Sequence, residues 1–169
     1  MGIGFLKGVI AILRGQKSPA ATAAGFAVGA ILGLLPKGNL LGIFFFLLFF
    51  LTTVDKPAAI LASLLWTPVG LLVDSLAHQI GYAVLSLEAL GPLWTALYNT
   101  PIVPWTHFNN TVVIGQLIIG LALFLPNYLA MKKAVAYYQQ NLKPKVDKLK
   151  VIQALKAMRW YQWYESMSE

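Results

Sequence analysis

The stretch SPAATAAGFAVGAILGLLPKGNLLGIFFFLLFFLTTV, residues 18–54, decides how the rest of the chain is read. Two strongly apolar runs, 20–35 and 40–53, are separated only by Pro36-Lys37-Gly38-Asn39. As helices they would reach roughly 21–24 Å, short of a hydrocarbon core of roughly 30 Å. Read as one segment they are too long, and Pro36 with Gly38 would break it in the middle. The pattern predicts a hairpin of two short helices sunk in a bilayer, broken or re-entrant, with Lys37 and Asn39 at its polar tip. Ser18-Pro19 marks its start, an N-cap followed by proline at the first helical position.

Composition points the same way. The chain is 58% hydrophobic and only 11% charged, where soluble domains carry about 25% charged residues. It cannot cover a globule with polar surface, so it belongs to the membrane class. The absence of cysteine removes disulfides, thiolate metal sites and cysteine nucleophiles together. Thirteen Lys and Arg against six Asp and Glu give a net charge of +7. Most of that excess sits at the two ends, which suits topology and lipid headgroups better than nucleic acid. No nucleic-acid partner, metal or cofactor is expected.

Outward from the hairpin, residues 1–17 carry Ile3, Phe5, Leu6, Val9, Ile10 and Leu13 with Lys7 and Arg14 among them. That spacing predicts a short amphipathic helix on the membrane surface. In the first arm Gly25, Gly29 and Gly33 recur every fourth residue and form a small-residue stripe, expected to pack closely on the partner arm. The second arm is bulky all round and reads as core or lipid contact. Asp55 and Lys56 after it read as a solvated interface pair. Residues 58–73 form a second interrupted unit, with Pro68 and Gly70 inside it. Interrupted helices in corresponding halves point to a transporter-like repeat, although this match covers only a few residues.

Residues 93–110 hold Trp94, Tyr98, Asn99, Trp105, His107, Asn109 and Asn110 and no Lys or Arg. Aromatics suit headgroup depth, and the missing positive charge places the loop outside the cytoplasm. Residues 111–131 form the one full-length span, and Lys132, Lys133, Lys143, Lys145, Lys148, Lys150, Lys156 and Arg159 follow it. Positive segments at both ends put both termini in the cytoplasm, with an even number of crossings. The expected organisation is a surface helix over 1–17, a membrane domain over 18–131 and a basic amphipathic cytoplasmic tail over 132–169. The fold class is all-α and integral to the membrane: short broken or re-entrant hairpins, one full span, and amphipathic helices at both ends.

Ser18-Pro19, Ala24-Gly25-Phe26-Ala27-x-Gly29 and Gly33-Leu34-Leu35-Pro36 together resemble the signature of a widespread, uncharacterised family of small bacterial inner-membrane proteins, of the domain-of-unknown-function type. Pro92-Leu93-Trp94-Thr95-Ala96-Leu97-Tyr98-Asn99-Thr100-Pro101 and Phe108-Asn109-Asn110-Thr111-Val112-Val113 resemble one branch of it, as do Asp74 and His78-Gln79. The resemblance covers roughly residues 1–135. It implies an inner-membrane location and frequent genetic pairing with a larger envelope protein that has a single membrane anchor. It brings no activity.

Three sets of residues are candidates for function. Asp74 and His78 are spaced i, i+4, so on a helix they share a face, and Gln79 adjoins them. At membrane depth such a pair would serve as an ion or proton site; at the interface it would simply be solvated. Lys37 and Asn39 suit an anionic headgroup, against a lysine that merely snorkels. The aromatic and asparagine residues of 93–110 suit a partner or headgroup surface, against plain turn chemistry. No catalytic residue is assigned. The favoured function is a non-enzymatic subunit that anchors or gates a larger envelope partner handling lipid between membranes. A small-solute or ion transporter using Asp74 and His78 is the alternative, a lipid-acting enzyme the third reading, and self-association stays open.

Overall fold

The computed structural model describes residues 17–147. The predicted surface helix at the N-terminus and the tail beyond Asp147 lie outside those residues. Every regular element among them is helical. Helix α1 is Pro19–Leu34, α2 Leu40–Leu51, α3 Lys56–Leu72, α4 Asp74–Leu85, α5 Gly91–Tyr98 and α6 Thr111–Tyr137. A π-helical turn at Tyr138–Leu142 leads from α6 into α7, Lys143–Asp147. One helical run, Thr111–Lys145, is long and apolar enough to cross a membrane, or two if the bent pair α3–α4 counts as one span.

Local chemistry sets the boundaries. Ser18 caps α1 through the Ala21 N–H at 3.2 Å, with Pro19 opening the helix as the sequence predicts. Asn39 caps α2 through the Gly42 N–H at 2.7 Å, and Asn110 caps α6 through the N–H groups of Val112 and Val113. Pro68 does not break the second unit as expected. Helix α3 runs through it, and the break falls at Val73, where α4 departs at 75°. Pro126 is likewise accommodated inside α6, with the Asn127 side chain donating to the Leu123 carbonyl at 2.9 Å. No break falls at residue 131, because α6 carries on to Tyr137.

Helix α1 is the centre of the bundle. Its glycine stripe faces α3, not the α2 arm predicted to receive it. A Cβ on Gly25 would strike the Asp55 carbonyl, one on Gly29 the Ala59 backbone, and one on Gly33 Ser63 and Trp66. The three contacts advance together along both chains, so α1 and α3 run parallel. Ala23, Ala27 and Ala30 of α1 and Ala58, Ala59 and Ala62 of α3 are buried with them. Small side chains on both faces permit this approach, which bulky α2 could not have offered. Only Phe49 of α2 is buried.

Helix α6 packs antiparallel along α1: Gly120 lies against Ile31, and the Gln139 amide donates to the Lys17 carbonyl at 3.1 Å. The two ends of the described chain therefore meet at one end of the bundle. The first turns of α6 extend past α1 and pack against α4, where Gly115 meets the Ala77 backbone and Gly81 that of Thr111. Ala77 and Gly81 are buried, so α4 is a packed part of the bundle.

Candidate functional site

The junction of α3, α4 and α6 holds the polar residues expected to matter. The close approach at Gly81 and Gly115 brings the first turns of α6 against α4. Asp74 and His78 share a face there, but each bonds across to α6 and not to the other. Asp74 Oδ1 accepts from Gln116 Nε2 at 2.6 Å, and His78 Nδ1 lies 2.7 Å from Thr111 Oγ1. Gln116 Nε2 also donates to the Gly70 carbonyl at 3.2 Å, tying together both sides of the Val73 break. Gln116 is only 4% exposed, and its Oε1 is enclosed with no hydrogen-bond partner among the described residues. Asp74 is half-buried, whereas His78 and Gln79 are exposed. Among the described residues no three His, Cys, Asp or Glu side chains converge in a way that would hold a metal.

A second polar cluster lies at the end of the bundle where Lys17 meets Gln139. Asp55 and Lys56 are not a solvated pair. Asp55 is 5% exposed, accepts from the Thr22 hydroxyl at 2.9 Å, and caps α3 through the Ala58 N–H at 3.4 Å. Lys56 turns the other way, and its Nζ donates to the Phe49 and Thr52 carbonyls at 2.6 Å each, over the Phe49 ring. It closes the C-terminus of α2, where carbonyls lack helical partners and the dipole favours a cation. Neither residue was singled out as functional, and both serve the fold.

The hairpin tip separates the two residues paired there in the sequence reading. Asn39 is 4% exposed and its side-chain oxygen is committed to the α2 cap, so its role is in the fold of the tip. Lys37 is exposed. Its Nζ donates to the Gly33 carbonyl at 2.6 Å and to the Thr67 hydroxyl at 3.0 Å, closing the end of α1. Partial burial against the apolar tip holds the ammonium below the usual lysine range. Beside it, between α2 and the α1–α3 pair, lies an open cavity of about 300 Å³ walled by Leu35, Phe46, Phe49, Ile60 and Leu64.

Beyond the junction, residues 86–110 form a cap of α5 flanked by short turns. Trp94, Tyr98, Asn99 and Asn109 come together with Phe108 around a second cavity of about 340 Å³. The Trp94 and Phe108 rings are 6.2 Å apart, and Trp94 Nε1 is enclosed with no partner among the described residues. Trp105 and His107 do not line this cavity. Trp105 is 73% exposed on a turn bounded by Ile102 and His107, which both have positive φ, 73° and 56°. Such a conformation is uncommon for a β-branched residue and marks a strained turn. Asn110 serves turn chemistry, as the cap of α6.

Residues 5–143 match the model of a family described as "Uncharacterized protein conserved in bacteria (DUF2062)". The chain belongs to this family. A relative from Treponema pallidum (strain Nichols), itself described as "Uncharacterized protein", is 31% identical over 134 residues, 79% of this chain and 83% of that protein. No solved structure matches.

For this family member, sequence reasoning missed Gln116, Thr22 and Thr111. A signal for Gln116 existed: it is a lone amide within an apolar run, and polar side chains in such runs are costly unless partnered. Thr22 carried no such signal, because a threonine in a helix can satisfy itself on the backbone one turn back.

Proposed function

We propose that the chain is a polytopic protein of the bacterial inner membrane, a non-enzymatic subunit that anchors or gates a larger envelope partner in lipid handling between membranes. The observation that carries the scaffold reading is the use made of two carboxylates, buried Asp55 and half-buried Asp74. Asp55 is held by Thr22 and the start of α3, and Asp74 by Gln116. Each ties one helix to another, as a packing device does. The membrane reading is supported by Phe44, Leu47, Phe50 and Leu51 on α2 and by Leu121 and Leu125 on α6, all large, apolar and exposed. In water such a surface would drive association; in lipid it needs no cover.

Parallel α1 and α3, with α6 antiparallel, agree with crossings that leave and return to one side. Lys17, Lys56, Lys132, Lys133, Lys143 and Lys145 lie toward the end where Lys17 meets Gln139, which on the positive-inside rule is cytoplasmic. The Cys-free chain allows a direct test, with single cysteines at Asn99 and Lys145 treated with an impermeant thiol reagent on intact cells. Labelling at Asn99 alone is expected, and labelling at Lys145 alone would reverse the orientation. The partner is tested by co-purification with the larger single-anchor envelope protein that the family resemblance implies is encoded nearby. Trp105→Ala and Ile102→Ser are expected to weaken that complex without unfolding the chain.

The transporter reading retains one supporting observation. The 75° break between α3 and α4 places half-buried Asp74 beside Gln116, whose Oε1 has no partner among the described residues. Interrupted helices of this kind line substrate sites in transporters. Solute flux in proteoliposomes that Asp74→Asn abolishes would move the conclusion to this reading.

A further inference from the structure

Lys37 is the one Lys or Arg among the described residues at the end of the bundle opposite the meeting of Lys17 and Gln139. It stands at the rim of the cavity between α2 and the α1–α3 pair. That cavity opens sideways. Ile43, Phe46, Ile60 and Leu64 line it and are each about half exposed on the bundle's outer surface. Its lining on α2 runs from Gly42 to Phe49, a rise of roughly 10 Å along the helix. The C-terminal end of α2 is held to the start of α3 by Lys56, and Phe49 is its one buried residue, so the rest of the helix stands off from α1 and α3. The space is therefore built into the hairpin.

The chemistry at its rim is specific. An ammonium group has three donors, and Lys37 Nζ uses two, on Gly33 and Thr67. The first turn of α2 begins three residues away. Its Gly42 and Ile43 N–H groups are taken by Asn39, and those of Leu40 and Leu41 have no partner among the described residues. A third ammonium donor and two free backbone N–H groups at a positive helix end favour an anion. Below them the walls are aliphatic and aromatic.

We propose that this cleft holds one acyl chain of an anionic phospholipid, with its phosphate on Lys37 and the start of α2. The inference rests on the membrane reading above and goes beyond it by naming a ligand and a site. A surface lysine contributes about fivefold to anionic-lipid binding, which sets the expected preference.

The test uses the full chain in phosphatidylcholine vesicles containing a small share of phosphatidylglycerol with a diazirine in its acyl chain. The comparison uses the same diazirine on phosphatidylcholine. Cross-links are expected at Ile43, Phe46, Ile60 and Leu64, about fivefold stronger for the anionic lipid. Lys37→Gln should remove the preference, Lys37→Arg should keep it, and Lys17→Gln at the far end should leave it unchanged. Leu64→Trp, which fills the cleft, should suppress cross-linking there for both lipids. Equal labelling by the two lipids, or labelling spread evenly over the outer face of α2, would overturn the site. If Lys37→Gln fails to fold, an unchanged preference in Leu64→Trp overturns it as well. Release of the chain from vesicles by alkaline carbonate would instead overturn the membrane reading, and the site with it.

Discussion

Replacing Gly29 with alanine adds one methyl group where α1 and α3 come closest. The new Cβ would lie 2.7 Å from both the carbonyl carbon and the Cα of Ala59, where ordinary contact begins at 3.4 Å. The obstacle is backbone, so no rotamer change relieves it. The helices must separate by roughly 1 Å, a gap that forfeits a quarter to a half of the dispersion energy of each atom pair across it. The loss spreads to the neighbouring contacts at Gly25 and Gly33, which share the same two rigid helices. Overpacking of this kind costs about 1–3 kcal/mol, and the upper half of that range applies because nothing nearby can yield. Gly38 is the control: a Cβ there meets nothing within 4 Å, so Gly38→Ala should fall within about 0.5 kcal/mol of the parent. Gly42→Ala belongs between the two, since its Cβ would sit 2.7 Å from the Pro36 carbonyl oxygen in a loop that can shift. Thermal unfolding of the detergent-solubilised full chain, followed by circular dichroism, should place Gly29→Ala about 5–10 °C below the parent. Equal midpoints for Gly29→Ala and Gly38→Ala would refute the close-contact account.

Other changes test the polar ties. Asp55→Ala removes the α3 cap and strands the Thr22 hydroxyl, so it should cost about 2–4 kcal/mol in the same unfolding assay, whereas Asp55→Asn should restore most of that. Asn110→Ala should cost about 1 kcal/mol through the lost cap of α6. Lys56→Met should destabilise by about 1–3 kcal/mol, read as earlier proteolysis near 52–56, because carbonyls at the end of α2 lose their donor. Under the scaffold reading Asp74→Asn should leave partner co-purification unchanged.

Much of the fold was legible because local signals carried it. Ser18-Pro19 opens α1, Pro36 to Asn39 turns the chain, and the apolar run from Thr111 announces the longest helix. What a single sequence could not supply was the pairing of faces. The stripe at Gly25, Gly29 and Gly33 says that something comes close, not what. Its partner proved to be alanine-rich α3, thirty residues along, because the neighbouring arm is too bulky to meet a glycine face. The polar candidates divided by the same logic. Asn39 and Asn110 went to caps, as asparagine beside a turn usually does, and Trp94, Tyr98, Asn99 and Asn109 converged on one cavity. Asp55 was misread because charge in a short turn looks solvated until the threonine across from it is known.

The break at Val73 shows why the remaining part was illegible. Nothing in Leu72-Val73-Asp74 is a helix breaker, while Pro68 five residues earlier is one, yet α3 passes through Pro68 and stops at Val73. The cause lies outside the segment. Gly70 is held against the backbone of Leu34, so α3 must stay straight until it clears the end of α1. Asp74, Ala77 and Gly81 are then drawn to Gln116, Gly115 and Thr111, which sit on the part of α6 that overhangs α1. A straight continuation of α3 would leave those glycine faces open and Gln116 without its carboxylate. The bend is where two surfaces, one offered by α1 and one by α6, each claim half of a single apolar run. It follows that the angle is maintained by contacts with α6, at Gly81, Gly115 and the Asp74–Gln116 bond, and not by a helix breaker at the hinge.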